Sequence, residues 1–197
     1  MPSASAAPDY SWPARSADLT SGFCFTLVRG IKPYDLIERL GGDELERIEW
    51  PRVIGPGDGE VGVRSRYFIA IARNKNWSII VEDNGTLGVT PQIVQPLSAD
   101  GGEVIVYRGG GGAPGRLLDF RDGDLALDLD TSAPDRITGR SVDELRPDLL
   151  AAGLIGGAGP AEPTVPALTF IAARTGVELT EQLMKTNTYL LVTVPQA

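Results

Sequence analysis

Five aspartates and one arginine fall within residues 119–130, DFRDGDLALDLD. Carboxylates this close together can hold a divalent cation or exchange protons as a general acid and base. The tightest pair is Asp122 and Asp124 around Gly123, which makes these two the candidate metal ligands. The calcium-loop pattern is not met, because it needs acids at positions one, three and five, a glycine at six and a glutamate at twelve. Setting Gly123 at six puts Leu118 first and Phe120 third, and neither is a ligand. Read as a strand, the stretch places Leu125, Leu127 and Leu129 on one face and Asp124, Ala126, Asp128 and Asp130 on the other. Side chains along such a face stand about 7 Å apart, too wide for one ion without help from a second strand. A half-buried antiparallel strand with one wet face accounts best for the spacing.

Little else in the chain could carry catalysis. There is no histidine, which removes Ser-His-Asp and Cys-His mechanisms and any histidine-ligated metal. The single cysteine, Cys24, sits inside FCFTLV, where it reads as a small buried apolar residue. GGGGAPG lacks the following helix and the lysine of a phosphate-cradling loop, so it reads as a flexible hairpin connection. Arg64, Arg66, Arg73 and Lys75 form a modest basic group, with Arg64 and Arg66 on the face of Phe68 as a contact patch for an acidic group. Solvated charges balancing nearby acids explain the same group more simply. Trp50, in a loop before Pro51, is a candidate surface anchor for a partner. Glu82 and Asp83 read as part of a turn at Asn84-Gly85.

The elements that must position these residues follow from periodicity. GFCFTLVRG is a buried strand, and IKPYDLIERLGG is a short helix stopped by its glycines. A loop-rich stretch comes next, with a short strand at 51–54. Strands over 61–72 and 77–82 make a hairpin through Asn74-Lys75-Asn76, and LLDF with LALDLD makes a second. EVIVYR is a further strand, preceded by a short helix in TPQIVQPLSADGG. SVDELRPDLLAAGL reads as a helix interrupted near Pro147, PALTFIAARTG as a helix closed by Gly176, LTEQLMKT as a further helical turn, and TYLLVTVP as a last strand. The fold class expected is α+β: a single domain over 18–197, an antiparallel sheet built from hairpins with a few short peripheral helices, behind a flexible tail over 1–17. LLVTVP on a sheet edge would pair two copies into a homodimer, whereas a terminal strand tucked into the sheet would not.

The 197 residues carry a net charge of −8, which argues against nucleic-acid and anionic-membrane partners. No apolar run is long enough to cross a bilayer, the first residues lack a secretory signal, and one cysteine suits a reducing compartment. A cytoplasmic location is therefore expected.

FCFTLVRGIKPYDLIERLGG, WSIIVEDNGTLGVTPQIVQPLSADGGEVIVY, FRDGDLALDLD and RPDLLAAGL…PALTFIAARTGVELT, in that order over about 22–180, resemble an uncharacterised small domain family widespread in actinobacteria of the Streptomyces type. The resemblance implies a single domain and no established catalytic residues. At GGGGAPG the chain departs from the polar and aromatic strand usual in that family.

Two functions of different class follow. The first is a non-enzymatic acidic protein-binding module, an accessory or immunity-type protein that masks a basic partner protein, with Trp50, Arg64, Arg66, Asp124, Asp128 and Asp130 as contact residues. The second is a carboxylate-based divalent-metal or small-ligand binding protein or enzyme using Asp122 and Asp124. Neither requires a cofactor.

Overall fold

Turn chemistry sets two of the hairpins. In the computed structural model, β3 (Arg66–Asn74) and β4 (Trp77–Asp83) join through Lys75 and Asn76, with Lys75 at φ 52°. Strands β6 (Arg116–Arg121) and β7 (Asp124–Asp130) join through Asp122 and Gly123, both at positive φ. Such two-residue turns match the natural twist of paired strands. The structure describes residues 7–53, 66–112, 114–157 and 160–196, so Arg64 and the start of the strand expected from residue 61 lie outside the described residues.

Four more strands complete the sheet: β1 (Phe23–Arg29), β2 (Asp43–Glu49), β5 (Glu103–Gly109) and β8 (Thr188–Pro195). The order of the eight is β2-β8-β3-β4-β1-β5-β6-β7, antiparallel throughout. The central strands are buried almost residue by residue because both sheet faces are covered.

One face packs Phe25, Leu27, Ile79, Ile105 and Leu117 against the helices α1 (Trp12–Arg15), α3 (Trp50–Val53), α5 (Val142–Ala152), α6 (Thr164–Thr175) and α7 (Glu181–Thr186). The other packs Val28, Ile69, Ile80, Val104 and Leu118 under α2 (Pro33–Arg39), Leu87 and α4 (Pro91–Val94), which runs on into a 3-10 turn. The chain is thus a single α+β domain of three layers.

Several expectations are corrected. Residues 51–53 are helical rather than extended, and the strand of that region is β2, just before them. The segment assigned to a flexible tail is docked from Tyr10 onward: Trp12 is buried, donates Nε1–H to the Leu179 carbonyl at 2.8 Å and lies against Phe25. Helix α5 runs through Pro147 without a break. Strand β8 lies between β2 and β3, paired on both sides, so LLVTVP offers no edge to a second copy.

Candidate functional site

Antiparallel register aligns a polar row across five strands: Glu82, Cys24, Arg108, Arg116 and Asp130. The next row on the same face is Ile80, Thr26, Val106, Leu118 and Asp128, so the polar row borders the second core layer. At its centre the loop after β4 closes down. Glu82 is buried and accepts the Leu87 and Gly88 N–H groups at 2.8 and 2.9 Å. Gly88 is required there, because a Cβ would stand 2.3 Å from Thr26 Oγ1 and 2.7 Å from Cys24 Sγ. Burial, with Glu82 nearby, pushes the Cys24 thiol well up, the opposite of what a nucleophilic thiolate needs.

The row opens at β6 and β7. There a cleft of about 480 Å³ is lined by Arg108, Arg116, Asp128, Asp130, Arg136 and Thr138, among others. Its outer wall is the segment 131–141, which folds back on β7. Asp128 and Thr138 exchange backbone hydrogen bonds, and the Arg140 and Ser141 N–H groups donate to the Leu125 and Ala126 carbonyls. Arg116 donates Nε and Nη2 to the two oxygens of Asp128 at 3.1 and 2.9 Å. Such a two-pronged pair fixes both side chains.

A second charged cluster lies on the opposite face, where Ile79, Leu27, Ile105, Asp119 and Leu127 form a row. Asp119 is fully buried there, and Arg121 Nη2 donates to it at 2.7 Å. Arg121 also reaches Glu144 of α5 at 3.0 Å and Glu103 at 3.6 Å, while Arg174 of α6 reaches Glu103 at 3.2 Å. Burial pushes the Asp119 carboxyl up, against the opposing pull of Arg121. This network ties both long helices to the sheet.

The residues singled out in the sequence do not form one site. Trp50, the candidate surface anchor, is buried at 3% exposure and packs edge-on to Trp12 at 5.7 Å. Arg66 donates to Asp43 at 2.5 Å, Arg73 donates to the Ile31 carbonyl, and Lys75 donates to the Gly176 carbonyl, so the basic group disperses. The aspartate strand does not alternate as expected, because a bulge opposite Asp119 and Phe120 shifts its register. Leu125 packs with one layer, Leu127 and Leu129 with the other. Asp122 accepts the Gly101 N–H at 3.0 Å, Asp124 pairs with Arg140, and Asp130 accepts Ser132 Oγ–H at 2.6 Å. Among the described residues, no three His, Cys, Asp or Glu side chains gather in a way that could hold a metal.

Sequence reasoning missed Arg108, Arg116 and Arg136. One signal was present: Arg108 and Arg116 flank the glycine-rich connection, so a hairpin closed there sets them opposite each other. That connection itself lines a second cleft of about 370 Å³ with Tyr107 and Thr164, whose hydroxyls lie 3.3 Å apart. Burial pushes the Tyr107 phenol up to about 12, so it stays protonated.

These features define a single-domain α+β protein with one fully antiparallel sheet and a charged cleft at the β6–β7 end. The chain matches the model of DUF6461, a family of unknown function, over residues 3–197, and it belongs to that family. The match extends beyond residues 22–180 and takes in the docked N-terminal helix. No curated protein and no solved structure matches the chain.

Proposed function

We propose that this protein is a non-enzymatic binding module of the accessory or immunity type, which docks a basic partner protein through the acidic sheet edge formed by β2. The observation that carries this reading is the edge itself. β2 pairs with β8 on one side, and no described strand covers its other side. Its sequence, DELERIE, sets four acids against one arginine, and Leu45 between two glutamates is 53% exposed. Glu44 and Glu49 are exposed, whereas Asp43 and Glu46 pair with Arg66 and Arg52. An open edge offers backbone hydrogen bonds to any extended segment. Acidic side chains and a bulge between Glu44 and Glu46 oppose pairing with another acidic copy, yet favour a Lys- or Arg-rich strand. The contact surface therefore moves from the aspartates of β7, which have internal partners, to β2.

The same reading locates the protein in the cytoplasm of an actinobacterium, as the single buried cysteine and the family resemblance suggest. Among the described residues, no helix is long and apolar enough to cross a membrane.

The test is a pull-down at low and high salt, run side by side with a Glu44→Lys/Glu49→Lys variant. A basic protein retained at low salt, released at high salt and lost with the variant supports the proposal. Retention that ignores both salt and charge reversal sinks it.

A further inference from the structure

The side chains that line the cleft beside β6 and β7 carry one more positive than negative charge. Three arginines, Arg108, Arg116 and Arg136, and two aspartates, Asp128 and Asp130, line it. Strand register sets Arg108 directly opposite Arg116, and like charges so placed repel unless a counter-charge lies near. Arg116 has one in the two-pronged pair with Asp128. Arg108 is held differently: among the described residues its side chain makes a single hydrogen bond, from Nε to the Gly85 carbonyl at 3.2 Å. Arg136 is exposed on the covering segment, near enough to Asp130 for its charge to help hold that carboxyl down. Asp130 accepts the Ser132 N–H and hydroxyl through Oδ1, and these bonds hold its carboxyl below the usual range. Once the Arg116–Asp128 pair is cancelled, two cations and one anion face the cleft.

We propose that this cleft binds an acidic α-amino acid, of the glutamate or aspartate class, with its carboxylates on Arg108 and Arg136 and its ammonium on Asp130. The ligand's two negative groups and one positive group are the inverse of the cleft's two arginines and one aspartate. Planar guanidinium forks suit carboxylates because both N–H groups point at both oxygens. A phosphate dianion would bring an extra negative charge to face Asp130, and a simple monocarboxylate would leave one arginine unanswered. The volume of about 480 Å³ falls in the range of small-molecule sites. The proposal stands apart from basic-partner docking, since β2 and β7 are opposite edges of the sheet and either reading can fail alone.

The test is a ¹⁵N-resolved NMR titration of the full chain with L-glutamate, L-aspartate, glycine and inorganic phosphate. Saturable shifts around residues 108, 116 and 128–138 are expected with L-glutamate or L-aspartate, and weaker ones with glycine and phosphate. Arg108→Gln and Arg136→Gln should each weaken binding by about tenfold or more. Arg15→Gln, which loses only contacts with Asp9 and Ser11, should leave it unchanged. Because Arg136 is exposed, its variant keeps the test open if Arg108→Gln fails to fold. Absence of saturation at about 10 mM amino acid would overturn the proposal. So would tighter binding of phosphate, or unaltered binding by a folded Arg136→Gln.

Discussion

Asp119 shows how much one side chain's meaning depends on its neighbours. In the sequence it is one of five aspartates, yet it alone lies fully buried, inside an apolar row and against Arg121. Removing one member of a buried pair leaves the other charge uncompensated, so Asp119→Ala is expected to cost about 3 kcal/mol in urea unfolding. Arg121 keeps Glu103 and Glu144, which places the loss at the low end of such cases. The pH dependence is separately testable. Burial raises the folded carboxyl above its unfolded value of about 3.9, so its contribution is full below that value and lost as pH rises through the folded pKa. Wild type should therefore lose stability relative to Asp119→Asn as pH rises above about 4. The opposite slope would mean that pairing with Arg121 outweighs burial. Cys24, enclosed by Gly88 and Thr26, should react with a thiol reagent only after unfolding.

At the scale of elements, the bulge in β7 and the prolines and glycines around it decide the geometry. Strict alternation predicts three leucines on one face, but one extra residue at the bulge moves Leu125 to the other layer. A slip of one residue inverts every side chain beyond it, which is why pattern alone mis-phased this strand. The segment covering β7 depends on Gly139, at φ 128°, whose added Cβ would sit 2.3 Å from the Ala126 carbonyl oxygen. Gly139→Ala should cost about 1–3 kcal/mol and loosen the Asp128–Thr138 bridge, read as faster amide exchange at Thr138. Pro147 acts in the other direction. Inside α5 it removes one helical hydrogen bond, yet Leu145 and Leu149 anchor the helix in the core. Pro147→Ala should raise the thermal midpoint, with a gain of at most about 3 kcal/mol.

Across the whole molecule, the N-terminal segment acts as part of the core. Trp12 stacks on Phe25, meets Trp50 and bonds the Leu179 carbonyl, so it joins the first helix to the last third of the chain. Trp12→Ala should cost about 3–5 kcal/mol in denaturant unfolding. A loss below about 1 kcal/mol would return the segment to the status of a loose tail. The small, polar composition of the first residues hid this, because a single tryptophan carries the docking. The net charge of −8 is likewise uneven. Acids dominate at the β2 edge, while Arg108, Arg116 and Arg136 gather near the other edge.

Composition, turn signals and periodicity determined by themselves that the chain is α+β, where the β3–β4 and β6–β7 hairpins turn, that Cys24 is buried and that histidine chemistry is absent. Those properties depend on neighbours a few residues apart, and local backbone preference and side-chain period express them directly. The strand order, the burial of Trp50 and Asp119, the interior position of β8 and the meeting of Arg108, Arg116 and Arg136 were decided only by the tertiary structure. Each depends on register between segments distant in sequence, and register is set by long-range packing that local pattern does not encode.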